Sequence, residues 1–143
     1  MYDTILVPTD GSEVSERAAQ EAFGLASELG ASVHVLFVID ESASSFLLTT
    51  ETMSSVLEEL RETGEEATEA AAAFAEDVPV ETAVVRGMNI HGTIVDYAED
   101  HGVDLVVMGT HGRHGVEHIV GSTTQRVLTS TSIPVLVVGE KGA

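Results

Sequence analysis

Residues Asp104 to Leu128 read DLVVMGTHGRHGVEHIVGSTTQRVL. The stretch opens on an apolar run, Leu105 to Met108, which has the composition of a buried strand. Gly109, Gly112 and Gly115 follow, and Gly121-Ser122-Thr123 then opens a helical pattern. Strand, glycine-rich loop and helix start form an arrangement able to hold a phosphate. Glycine lets the backbone approach closely, and the first turn of a helix offers unpaired N–H groups with partial positive charge. Ser122 and Thr123 add hydroxyls. The loop is neither a Gly-Lys-Ser/Thr phosphate loop nor a G-x-G-x-x-G fingerprint, so a plain βα connection stands beside the nucleotide-phosphate reading.

Outward from this stretch, short apolar runs alternate with helical patterns. Thr4–Pro8 reads as a first strand. Thr9-Asp10-Gly11-Ser12 is a turn, with Ser12 as N-cap. Ala18, Ala22, Leu25, Ala26 and Leu29 recur at helical spacing, and Gly30 closes that helix. Ser32–Ile39 is a second strand. A polar connection from Asp40 to about Thr50 leads to a Glu- and Ala-rich helix, Thr52–Glu76, whose inner stripe is expected to be Val56, Leu60, Ala67, Ala71 and Phe74, with Gly64 as a point of interruption. Val80–Arg86 is a third strand and Gly87–His91 a turn. Ile94, Val95 and Ala98 mark a third helix closed by Gly102. Val103–Met108 is the fourth strand. Gly121–Thr131 is a fourth helix with Val120, Thr124, Val127 and Leu128 on its inner side, and Pro134–Val138 is the last strand. Near-continuous apolar strands alternating with helices predict an α/β domain spanning residues 1–143, a parallel sheet with helices on both faces. Ligands of such sheets sit beyond the carboxyl ends of the strands, where the strand order reverses. Asp10 and Gly109 would share that crevice if strands one and four are neighbours.

Composition narrows the function. The chain has 24 Asp plus Glu against 6 Lys plus Arg, a formal net charge of −18. Such a surface repels nucleic acid, so no nucleic-acid partner is expected. The acidity is similar to that of proteins from salt-accumulating halophiles. The apolar content of 43% argues against disorder. No apolar run approaches the ~20 residues of a membrane span, and the N-terminus lacks a signal-peptide pattern, so the expected location is the cytoplasm. There is no cysteine, hence no thiolate metal site. Arg113, one of five arginines, sits among the loop glycines, where an anionic ligand would need positive potential.

Several segments together resemble the universal stress protein family: ILVPTDGSEVSERA, VLFVIDE, DLVVMGTHGR, the Gly-Ser before a helix, and IPVLVV, covering about residues 2 to 139. The resemblance implies a three-layer, doubly wound, flavodoxin- or Rossmann-like fold with a five-stranded parallel sheet of order 3-2-1-4-5. It implies a homodimer through the last strand, Pro134, Val135, Leu136, Val137 and Val138. It also implies ATP or AMP as ligand. Adenine and ribose would meet Pro8, Thr9, Asp10, Val38, Met108 and Gly109, with Val38 acting through its backbone. The phosphates would meet Gly112, Arg113, Gly121, Ser122 and Thr123. Asp10 could ligate Mg²⁺ together with the phosphates.

The ATP-binding pattern of that family has nine residues between its second and third glycines. Here eight lie between Gly112 and Gly121. A one-residue shift moves a donor by ~3 Å, which sets the phosphate contacts of Gly121 and Ser122 against an alternative: a dimeric interaction protein with a vestigial cleft. His111, His114 and His118 invite a metal reading, against which the neighbouring glycines argue. Ser122 has no nucleophile-elbow flanks and no base placed beside it, so no enzyme is expected. Slow ATP hydrolysis or autophosphorylation is the third reading.

Overall fold

In the computed structural model, which describes residues 1–42, 50–111 and 120–139 (only the backbone for 50–53), the central strands are near-continuous apolar runs because both faces of the sheet are covered there. The elements in order are β1 (Thr4–Pro8), α1 (Glu13–Leu29), β2 (Ser32–Asp40), α2 (Thr50–Ala72), β3 (Val80–Gly87), α3 (Ile90–Asp100), β4 (Leu105–Gly109), α4 (Ser122–Ser130) and β5 (Val135–Val138). The sheet order is β3-β2-β1-β4-β5, with all pairs parallel. Strands one and four are therefore neighbours, with Ile5 opposite Leu105 and Leu6 opposite Val106.

Alternation along each strand divides the core in two. Ile5, Val7, Val33, Val35, Leu105 and Val107 pack with Ala18, Ala22, Phe23 and Ala26 of α1 and with Ala71 of α2. Leu6, Leu36, Val106 and Met108 face the other way, onto Ile94, Val95 and Ala98 of α3 and Val127 of α4. The alanine face of α1 lets that helix lie close over β1 and β4. Its ends are capped as expected: Ser15 N–H donates to Ser12 Oγ, and Gly30 adopts φ 70°.

Several local expectations need correction. α2 starts two residues earlier than expected and gives way after Ala72 to tight turns, with Phe74 N–H on Ala71 O, Ala75 N–H on Ala72 O and Glu76 at φ 51°. Gly64 does not interrupt it. Gly64 is buried, and a Cβ there would lie 2.7 Å from Phe37 Cδ1 and 3.0 Å from Val84 Cγ1. The glycine is what allows α2 to rest on β2 and β3. α3 begins at Ile90, inside the stretch read as a turn, because Asn89 caps it through Gly92 N–H. β4 starts at Leu105; ahead of it the Asp104 carboxylate accepts from the N–H groups of Asp3 and Thr4. On α4 only Thr124 and Val127 are buried, whereas Val120 and Leu128 are 41% and 42% exposed. This nine-residue helix is anchored by a narrow stripe, with Val127 packed among Leu6 and Val106. Pro134 precedes β5, and its carbonyl accepts from Val106 N–H.

Candidate functional site

β1 and β4 end side by side. The chain leaves β1 toward the α1 face and leaves β4 toward the α4 face, so a crevice opens between the two exits. A cavity of about 500 Å³ lies there, within the range of small-ligand sites. Pro8, Thr9, Asp10, Val38, Met108, Gly109, Gly121, Ser122 and Thr123 all line it. Gly112 and Arg113, the remaining residues expected at the site, lie outside the described residues, as do His114 and His118.

One half of the cavity is an apolar slot walled by Leu36, Phe37, Val38, Ile90, Ile94 and Met108. β2 runs on past the end of β1. The last bond between them is Thr9 N–H to Leu36 O at 2.8 Å. By the two-residue strand period, Val38 turns the same backbone edge toward the cavity, beyond the reach of β1. That slot can sandwich a flat ring and offer it a backbone donor and acceptor.

The other half is polar, and hydrogen bonds fix its shape. Thr9 and Ser15 are buried, with Oγ atoms 2.9 Å apart, and Thr9 Oγ1 also accepts from Gly11 N–H. Ser15 Oγ donates to Ser12 O at 2.8 Å. These bonds pin the turn after β1 to the start of α1. Asp10 Oδ1 accepts from Ser12 N–H at 3.0 Å, so the carboxylate stands at the rim in a closed turn. Gly109 is required where it stands: a Cβ would be 2.9 Å from Val14 Cγ1 and 3.2 Å from the Val14 backbone carbon. Its carbonyl accepts from Thr124 Oγ1 at 2.8 Å. Gly121, the N-cap of α4, carries no side-chain cap bond, and its own N–H donates to Thr110 O. The first N–H groups of α4 therefore open toward the cavity without a capping side chain, as an anion site requires.

Sequence reasoning missed Ser15, Leu36, Phe37, Ile90, Ile94, His111 and Thr124 among the lining residues. Leu36, Ile94 and Thr124 read as core positions, and they are core and cavity floor at once. No cluster of three His, Cys, Asp or Glu able to hold a metal occurs among the described residues. No described helix is long and apolar enough to cross a membrane.

Fold and cavity together define a doubly wound α/β protein with a cavity at the topological switch point. The chain belongs to the universal stress protein family, whose model matches residues 1–139. It is 38% identical to universal stress protein MJ0531 of Methanocaldococcus jannaschii over 141 residues, 96% of this chain and 82% of that one. The solved structure of protein MJ0577, a universal stress protein of the same organism, superposes with a TM-score of 0.87 at 34% identity, covering 100% of this chain and 99% of the other. Two further solved universal stress proteins share the fold. One is in complex with cAMP (TM-score 0.70, 24% identity, covering 96% and 97% of the two chains). The other, from Archaeoglobus fulgidus, is in complex with dAMP (TM-score 0.66, 21% identity, covering 96% and 98%).

Proposed function

We propose that this universal stress protein binds an adenine nucleotide, ATP or AMP, in the switch-point cavity, and that it responds to nucleotide state during stress in the cytoplasm. One observation carries the reading. Every described residue expected to touch the nucleotide lines the same cavity, although these residues come from three strands and a helix far apart in the chain. The apolar slot suits adenine, with the Val38 backbone edge reading the ring. Asp10 and Gly109, in the polar half, would meet ribose. The uncapped start of α4 at Gly121, Ser122 and Thr123 suits phosphate, and Gly112 and Arg113 belong to the same proposed set. Mg²⁺ fits the donor set as one carboxylate, Asp10, with phosphate oxygens and water. Two solved proteins of this fold hold adenine nucleotides, which shows what the fold can accommodate. The case for this chain rests on its own cavity.

We further propose a homodimer through β5. This four-residue edge strand carries Leu136 at 38% exposure, and an apolar edge is a template for pairing with a second copy. No hydrolytic role is assigned.

Calorimetric titration with ATP and AMP, in KCl and Mg²⁺, tests the ligand. Micromolar affinity, about −8 kcal/mol, is expected. Ser122→Ala should weaken ATP by roughly 3- to 10-fold through loss of one hydrogen bond. A folded protein that binds neither nucleotide would reject the reading in favour of an interaction module with a vestigial cleft.

A further inference from the structure

Two buried hydroxyls at the end of β1 have one arrangement of protons that satisfies both of their short contacts. Thr9 and Ser15 are buried, and both line the cavity. Ser15 Oγ lies 2.8 Å from Ser12 O and 2.9 Å from Thr9 Oγ1. Each of these oxygen–oxygen contacts needs a hydrogen between its atoms, and each hydroxyl supplies one. The Ser12 carbonyl has none to give, so the Ser15 hydrogen lies on it. The Thr9 hydrogen must then lie on Ser15 Oγ.

Thr9 Oγ1 therefore donates to Ser15, accepts from Gly11 N–H at 3.1 Å, and keeps one lone pair. It has no second proton to donate. Thr124, on the cavity floor, is committed in the same way, since its hydroxyl donates to Gly109 O at 2.8 Å. Asp10 adds carboxylate oxygens at the rim. Acceptors thus collect where β1 meets α1, while N–H donors collect at the first turn of α4. A ligand suited to both presents hydroxyl protons on one side and an anion on the other, which is the chemistry of a sugar bearing phosphate.

We propose that Ser15 is a positioning residue for sugar selectivity: it holds the Thr9 proton, so that Thr9 can only accept and the site selects a hydroxyl donor from the ligand. This rests on the nucleotide reading above. A ribose hydroxyl donates to Thr9. A fluorine in its place is of similar size but carries no proton, and it would set lone pair against lone pair.

Calorimetry on the full chain, comparing ATP with its 2′-deoxy-2′-fluoro and 3′-deoxy-3′-fluoro analogues, tests this. All three ligands carry the same base and phosphates, so those contacts cancel. In the wild type, one analogue or both should bind about tenfold more weakly than ATP, ~1.4 kcal/mol. Ser15→Ala keeps the helix cap, because Ser12 Oγ accepts from the backbone N–H of residue 15, but it frees the Thr9 proton to turn toward fluorine. The ratio of ATP to analogue affinity should fall to about threefold or less. Damage to the turn alone would weaken ATP and analogue together and leave the ratio where it was. Thr9→Val, which removes the acceptor, should likewise cost ATP its advantage over the analogue. A wild-type ratio near one for both analogues, or a ratio that Ser15→Ala leaves unchanged, would overturn the proposal and leave nucleotide binding standing. A folded protein that binds none of the three would reject both.

Discussion

Gly24→Ala and Gly64→Ala make the same chemical change inside two helices, and the structure gives them opposite signs. Each gains about 1 kcal/mol of helix propensity. Gly24 lies on the exposed side of α1, and an added Cβ meets nothing within 4 Å. The gain should survive as about 0.5–1 kcal/mol of stabilisation. At Gly64 the new Cβ would stand 2.7 Å from Phe37 Cδ1, 3.1 Å from Phe37 Cγ and 3.0 Å from Val84 Cγ1. Carbon atoms prefer ~3.5–4.0 Å, so α2 must retreat by most of an ångström or the Phe37 ring must swing. Overpacking of this kind costs about 1–3 kcal/mol. Net of propensity, Gly64→Ala should be about 0–2 kcal/mol destabilising, placing the variants ~1–3 kcal/mol apart. For a domain of this size that is a Tm separation of roughly 3–9 °C. Urea and thermal unfolding in matched KCl would read it. Phe37 also walls the cavity, so Gly64→Ala should change nucleotide affinity while Gly24→Ala does not. A Gly64→Ala protein as stable as Gly24→Ala, with wild-type affinity, would refute the claim that glycine is there to admit α2.

Two other outcomes follow from named contacts. Tyr97 O–H lies 2.8 Å from His34 Nδ1, and burial, then the Glu81 carboxylate, raises the phenol above its ordinary 10.0. The folded state thus keeps this proton to higher pH than the unfolded chain, so the contribution is intact below the ordinary phenol range and declines as pH rises through the folded value. Tyr97→Phe should flatten the alkaline fall in stability, and equal slopes in urea midpoints for both proteins would contradict the assignment. Leu136→Arg places charge on the edge of β5 and should convert a dimer to a folded monomer in sedimentation; a persisting dimer would move the interface elsewhere.

The central strands were legible because their cause is local: ILVP and LVVMG are apolar throughout, as burial on both faces demands. The order of the strands was not in that pattern and came from the family resemblance. Misreadings arose where a residue answers to a distant neighbour. Gly64 looks like a helix interruption by propensity, yet its partners are Phe37 and Val84, on strands that precede and follow the helix. Val120 and Leu128 share the helical spacing of Thr124 and Val127 but find no sheet beneath them. His111 reads as one member of a histidine-rich loop; what distinguishes it is Gly121, ten positions on, backing against its Cα. The Asn89 cap carried a signal in its residue type, and the turn reading overlooked it.

The short spacing before Gly121 shows how such conflicts resolve. Counting residues suggests that one fewer between Gly112 and Gly121 would rotate the start of α4. In the structure Gly121, Ser122 and Thr123 nonetheless line the cavity, because the helix is registered against β4 by contacts that do not run through the loop. Gly121 N–H donates to Thr110 O, Thr124 Oγ1 donates to Gly109 O, and Val127 is fully buried among Leu6, Val106 and Ile94. Rotating α4 by one residue would withdraw Val127 from the core, about 1.5–3 kcal/mol, and break the threonine bond, about 1 kcal/mol. Closing a loop one residue longer or shorter changes chain entropy by only about 0.1 kcal/mol. Packing therefore sets where the first turn of α4 points, and the residue count of the loop is a poor guide to whether Gly121, Ser122 and Thr123 reach the cavity.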